Sequence, residues 1–157
     1  MDRFESETKP RSFMKTLLYT IALLIAALFV HRPLLAQNST YKLTITIPNI
    51  SQRMGTMHVG LIIKPEHFMG KSDLDTAVVV PADGPLTIVI PNLKPGQYAI
   101  QLYQDLNNNN VMDRAGMMPT EPFGFSNIAM LMGPPSFEQA AFEIKDDTEI
   151  RVRLLGN

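Results

Sequence analysis

The stretch Gln104–Asn127, QDLNNNNVMDRAGMMPTEPFGFSN, holds the residues best suited to chemistry in this chain. Hard cations such as Ca²⁺ take six to eight oxygens from carboxylates, amides and carbonyls. Counted from Asp105 as position 1, Asn107 and Asn109 fall at positions 3 and 5, the Val111 carbonyl at 7 and Asp113 at 9. This is the spacing of the first part of an EF-hand-type loop, where alternate side chains turn to one centre, although the strand–loop–strand setting does not imply an EF-hand fold. Two positions depart from it. Position 6, normally Gly at positive φ, is Asn110, the next most tolerant residue. Position 12, normally a bidentate Glu, is Gly116. Glu121, five residues later, is the acid that could swing back to close the shell. The expected cofactor is calcium, held by Asp105, Asn107, Asn109, Val111, Asp113 and Glu121 with modest affinity, because few of these are acids. The competing reading is that Asp and Asn favour turns and cap exposed backbone.

Other constellations carry less. Ser126 lies in Gly-Phe-Ser-Asn, which is not a Gly-x-Ser-x-Gly elbow, and neither His58 nor His67 is placed in sequence to serve it. Asp105, Asp113 and Glu121 could in principle work as an acid/base carboxylate pair. Crowded on one Asx-rich loop, they better suit a cation or solvent. Met117, Met118, Met130 and Met132 could form a soft thioether group for Cu(I). No His or Cys accompanies them, so they are expected to fill gaps under a long loop. Phe123, Phe125 and Phe137 bracket that loop. They are expected to pin it down; exposed instead, they would mark a partner surface. No catalytic residue is assigned, and the chain is not expected to be an enzyme.

The elements that must position the loop are strands. Tyr41–Ile47 alternates polar and apolar residues, with Leu43, Ile45 and Ile47 on one face. Thr56–Ile63 repeats the pattern with Met57, Val59, Leu61 and Ile63. Lys64–Asp75 reads as loop or a short helical turn. Thr76–Val80 and Leu86–Ile90 are short strands parted by PADGP. Pro95-Gly96 fits the centre of a type II turn, and a strand through Tyr98, Ile100 and Leu102 leaves it. A long loop, Asp105–Ser136, follows. Phe137–Ile144 and Thr148–Leu155 are expected to pair as a hairpin around KDDT. About seven short strands and no amphipathic helix argue for an all-β, antiparallel two-sheet sandwich.

The N-terminus reads differently. Arg11 and Lys15 precede the apolar run Leu17–Val30, 14 residues long. That is short of the roughly 20 residues a membrane span needs. It fits a secretory signal peptide over residues 1–36, forming a signal helix and cut after Ala36; the rival is an uncleaved anchor, the chain's one expected membrane contact. No cysteine follows the run, which excludes a lipid-anchored lipoprotein. Residues 37–157 then form a single domain, exported to the periplasm or beyond. With the leader's five basic and three acidic residues removed, 9 basic and 12 acidic remain, a net of −3. No nucleic-acid partner is expected from such a balance. Without disulfides, an exported domain needs a well-packed core or a bound metal.

Four clusters together carry a resemblance. They are Pro95-Gly96-x-Tyr98, Asp105-x-Asn107-x-Asn109 with Asp113, Pro119-x-Glu121-Pro122-x-Gly124-Phe125-Ser126-Asn127, and Pro135-Ser136-Phe137-x-x-Ala140. The chain, from about Tyr41 to Leu155, resembles a bacterial family known as domain of unknown function 2141. The resemblance implies an exported single domain with an immunoglobulin-like or transthyretin-like sandwich, and it carries no activity. The family's usual loop has Gly where this chain has Asn110. The expectation is an exported binding or structural module, calcium-stabilised through its Asx-rich loop. The alternatives are a periplasmic small-molecule or copper carrier using Met and aromatic residues, and a hydrolase using the loop carboxylates.

Overall fold

Alternating β-branched and apolar residues make Tyr41–Ile47 a strand, β1, whose Leu43, Ile45 and Ile47 are fully buried. The computed structural model describes residues 20–21 and 39–156. The leader expected over residues 1–36 lies outside these, save Thr20 and Ile21, which are helical. Contacts divide the chain into two units, Met1–Gln37 and Asn38–Asn157, and the elements described here belong to the second.

The domain is mostly β, with almost no helix, and its strands pair antiparallel except for the parallel pair at the C-terminal end of the chain. After β1 come β2 (Thr56–Ile62), a 3₁₀ turn (Pro65–His67), β3 (Leu74–Val79), β4 (Leu86–Leu93) and β5 (Gly96–Asp105). Two-residue strands β6 (Arg114–Ala115) and β7 (Met118–Pro119) follow, then β8 (Phe123–Phe125). One helical turn, α1 (Phe137–Ala140), precedes β9 (Phe142–Ile144) and β10 (Thr148–Arg151). A three-stranded sheet runs β10-β1-β4 and a larger one runs β3-β2-β5-β8, with β9 also on β5.

Both sheets bury one face in a shared core. Leu43, Ile45 and Ile47 of β1 and Leu86 and Ile88 of β4 cluster with Met57, Val59 and Leu61 of β2 and Ile100 and Leu102 of β5. Alternation along β5 turns Ala99 the other way. There Ile62, Phe123, Phe125, Phe137 and Ala140 form a second cluster on the far face of the larger sheet. Phe125 lies 5.6 Å from Phe68 and 5.9 Å from Phe123, in tilted and edge-on contact. The phenylalanines thus pin the long segment to the sheet.

Several sequence expectations need correction. Phe137–Ile144 is not one strand. Ser136 caps α1, accepting from the Gln139 backbone N–H while Gln139 Oε1 accepts from the Ser136 N–H. This capping box starts a helical turn where propensity read β. The strands flanking KDDT do not pair with each other. β9 lies antiparallel to β5 and β10 lies parallel to β1, so that turn crosses from one sheet to the other. Each of these strands extends a different sheet. Asp105–Ser136 is not all loop, since β8 joins the larger sheet at Gln101–Tyr103. β2 ends at Ile62, leaving Ile63 outside the core. Gly96 does not take positive φ; Asn92 does, at φ 62°. The corner is held instead by Tyr98, whose hydroxyl donates to the Lys94 carbonyl at 2.7 Å. This back-bond to a residue just upstream is a tyrosine corner, a device of β-sandwich proteins.

Ser126 closes the seam along β5. Its backbone N–H donates to the Ile100 carbonyl, and its Oγ accepts from the Ile100 N–H at 2.8 Å. The same Oγ donates to the Ala140 carbonyl at 2.6 Å. It therefore fills the gap on β5 between the pairing segments of β8 and β9. Gly124 is needed beside it: a Cβ there would meet the Arg153 carbonyl at 2.5 Å. Through this close approach the C-terminal segment leaves β1 and bridges to β8, where Leu155 and Phe123 exchange hydrogen bonds.

Candidate functional site

Asp105 is the last residue of β5 and is fully buried. It sits opposite Thr56 on β2, two register positions from the pair His58–Tyr103 and so on the same face of the sheet. Its Oδ1 accepts the Asn109 backbone N–H at 3.1 Å and its Oδ2 that of Asn110 at 2.7 Å. Burial raises the Asp105 pKa. The backbone N–H groups of Asn110, Asn109 and Asn108, with the nearby His58, outweigh that and hold it below the usual carboxylate value. The chain bends sharply here. Asn108 and Asn110 both take left-handed backbone, at φ 59° and 64°. Asn110 thus fills the glycine position as expected, because Asn tolerates this region best after Gly.

The next side chains fold into the same turn. Asn107 Oδ1 accepts the Asn109 N–H at 3.0 Å, and Asn109 Oδ1 accepts the Val111 N–H at 2.8 Å. Their amide nitrogens both point to one carboxylate. Asn107 Nδ2 donates to Asp113 Oδ2 at 2.7 Å, and Asn109 Nδ2 donates to Asp113 Oδ1 at 3.0 Å. Asn107, Asn109 and Asp113 thus meet across the loop that Asp105 anchors. Val111 contributes its N–H here, and its side chain is exposed. Asn108 is exposed, yet its Oδ1 accepts from the Thr56 hydroxyl at 2.8 Å.

Glu121 does return to the loop. Its Oε1 accepts the Leu106 N–H at 2.8 Å and its Oε2 accepts the Asp113 N–H at 3.1 Å. The intervening residues form the β6–β7 hairpin, turned at Gly116 with φ 63°. The hairpin reverses the chain and sets the Thr120 N–H on the Asp113 carbonyl at 2.9 Å. Only 4 % of Glu121 is exposed, and both of its oxygens clamp backbone. Among the described residues, no three His, Cys, Asp or Glu side chains group to hold a metal. The loop instead brings carboxylates together with asparagine amides.

Two neighbours of Asp105 escaped the sequence reading. His58 Nε2 stands 3.5 Å from Asp105 Oδ2, and its ring stacks on Tyr103 at 4.8 Å between centroids. That nitrogen is buried and makes no hydrogen bond to the described residues. The burial of Tyr103, with the charges of Asp105, Glu121 and Asp75, raises its hydroxyl pKa. Period-2 reading places His58 and Tyr103 on outer faces of their strands, but only the β2–β5 register sets them side by side.

The remaining candidates separate. Ser126 is buried with both hydrogen-bonding roles of its hydroxyl occupied by backbone. Two cavities among the described residues, of about 440 and 550 Å³, are lined by none of Asp105, Asp113 and Glu121, so neither gives a carboxylate hydrolase its site. The methionines do not fill gaps. Met117, Met118, Met130 and Met132 are 68 to 92 % exposed. Phenylalanines already occupy the space beneath the segment, and of its methionines Met112 is the one that packs on them.

A family model described as "Uncharacterized protein conserved in bacteria (DUF2141)" matches residues 45–151. The chain belongs to the DUF2141 family. No curated protein and no solved structure matches it. In this DUF2141 chain the residues that carry the resemblance now have physical roles. Tyr98 makes the corner and Asp105 to Asp113 make the turn. Glu121 clamps its two ends, Gly124 admits the Arg153 carbonyl, Ser126 closes the seam, and Ser136 caps α1. Most of these residues therefore serve architecture.

Proposed function

We propose that this DUF2141 protein is an exported binding or structural module whose Asp105–Asp113 loop takes Ca²⁺. We read its two sheets about a common core as a sandwich of the immunoglobulin-like or transthyretin-like kind, a likeness of fold that fixes no function. One observation carries the calcium reading: the side chains at loop positions 3, 5 and 9 meet, both Asp113 oxygens receiving amides from Asn107 and Asn109. Those two donors supply the positive ends that a cation would otherwise supply. On this reading the amides rotate when Ca²⁺ enters, so that their oxygens face the ion beside Asp105 and Asp113. The Val111 carbonyl and water complete the shell, and Glu121 either joins it or holds the loop ends. Few carboxylates mean modest affinity, which suits an exterior rich in Ca²⁺. Export brings the module to that exterior, and the bound ion keeps the loop shaped so that it can present Glu121–Asn127.

The test is thermal unfolding of the protein in millimolar Ca²⁺ and in chelator. A ligand that binds only the native state raises the melting temperature. A rise with Ca²⁺ that Asp105→Ala and Asp113→Ala abolish supports the reading. An unchanged melt in both media sinks it.

A second reading, a periplasmic copper or small-molecule carrier, draws on the exposure of Met117, Met118, Met130 and Met132. Thioether sulfurs at the surface are accessible to Cu(I), as buried ones are not. Competition titration with Cu(I) decides it. Equal affinity in the Met130→Leu/Met132→Leu variant would end that reading.

A further inference from the structure

A cavity of about 440 Å³ opens where the C-terminal segment crosses between the sheets. That size falls in the range of small-molecule sites. Pro48, Phe125 and Ile128 give it an apolar lining, and Arg151 and Arg153 stand at its wall. Burial alternates through Arg151–Leu154, with Val152 and Leu154 buried and both arginines exposed. The two guanidinium groups therefore leave the same side of the chain, their Cα atoms roughly 7 Å apart by extended-chain spacing.

Among the described residues neither arginine has an acidic partner. The ion pairs among the described residues join Lys42 to Asp147, His58 to Asp105, His67 to Asp73 and Lys145 to Glu143. The polar side chains beside the arginines are already engaged. Asn49 exchanges hydrogen bonds with the Leu154 backbone, and Asn127 donates to the Ala141 carbonyl. What the cavity offers is an apolar lining and two uncommitted forks of N–H donors, with no carboxylate among its lining residues. In a chain of net charge −1, that is a local excess of positive charge. Guanidinium groups match carboxylate and phosphate geometry, pairing two N–H groups with two oxygens.

We propose that this groove binds a small amphiphilic anion, a carboxylate or phosphate head on a short apolar body. Arg151 and Arg153 take the head, while Phe125 and Ile128 take the body. The site is separate from the Asx-rich loop, and nothing in it requires Ca²⁺. It also gives a use to the Gly-Phe-Ser-Asn run beyond closing the β5 seam, since Phe125 and Asn127 both line the groove.

The test is titration of the protein with decanoate and with hexyl phosphate, followed by calorimetry and by backbone amide shifts. Decanol and acetate supply the body alone and the head alone. Saturable binding of either anion is expected, with shifts at residues 125–129 and 151–153; the tighter of the two identifies the head. The double variant Arg151→Gln/Arg153→Gln is expected to bind it about tenfold or more weakly, as loss of charge-assisted hydrogen bonds implies. Decanol binding is expected to be equal in both proteins. Ile128→Ser provides an independent arm: it is expected to weaken decanoate and leave acetate unchanged. Absence of binding by both anions, or equal affinity in wild type and the double variant, overturns the proposal. So does acetate binding as tightly as decanoate, because the apolar body would then contribute nothing.

Discussion

Glu121 holds the Asp113 backbone N–H on one carboxylate oxygen at 3.1 Å, while its other oxygen takes the Leu106 N–H at 2.8 Å. One buried side chain thereby ties the two ends of the Asx-rich loop together. Truncation strands two partly buried N–H groups. Glu121→Ala is expected to cost about 1–3 kcal/mol for each donor left unpaired. Urea unfolding measures it. Glu121→Gln retains one acceptor oxygen and should lose less. Equal stability of Glu121→Ala and wild type would show that the clamp contributes nothing.

Asn110 stands at φ 64° where a glycine is usual. A Cβ without a local polar group is disfavoured there, by roughly 1–2 kcal/mol for ordinary residues. Asn110→Ala is expected to destabilise by about that amount, while Asn110→Gly stays near wild type. Parallel denaturant curves for the two variants check the order.

Asp105 sets a pH dependence. Its folded pKa lies below the usual carboxylate value, so the unfolded state binds the proton more readily. Its contribution to stability is therefore fully present above the unfolded pKa. It is lost as pH falls through the lower folded value. Melting temperatures taken from pH 6 down to pH 2 should fall below about pH 4, and less steeply in Asp105→Asn. Asp73 acts in the same window. The Ile63 backbone N–H is the chief cause of its lowered pKa, opposed by burial and aided by the Lys64 N–H and by His67. Asp105→Asn should thus reduce the acid sensitivity without abolishing it.

Gly124 packs under the C-terminal segment. A Cβ would stand 2.5 Å from the Arg153 carbonyl, and backbone is costly to move. Gly124→Ala is expected to destabilise by about 1–3 kcal/mol, the usual range for overpacking. Hydrogen exchange should then show faster exchange at the Phe123 and Leu155 amides, which bond across this crossing. Unchanged protection would count against the bridge.

Reading the sequence worked best where a single face decides the outcome. Period-2 alternation found β1 end to end and most of β2, because burying one face repeats every second residue. Ligand spacing marked the turn at Asp105–Asp113, and the Asn at position 6 took the positive φ that its place required. The same reasoning failed where a partner makes the choice. Propensity made Phe137–Ile144 one strand, but Ser136 and Gln139 capped a helical turn instead. The KDDT turn looked like a hairpin tip, and register put its flanking strands on different sheets.

For this protein, then, the sequence alone determined that the domain is β-rich, that one Asx-rich loop bends tightly, and which aromatic residues pin the segment after it. These follow from local periodicity and backbone preference, which each short stretch carries within itself. Only the tertiary structure decided that Glu121 returns to clamp that loop, that His58 stands beside Asp105, and that Arg151 and Arg153 flank a groove with Phe125. Leu106 and Glu121 are 15 positions apart in the chain, Phe125 and Arg151 are 26, and His58 and Asp105 are 47. Such contacts arise from strand register and chain reversal, which no local pattern encodes.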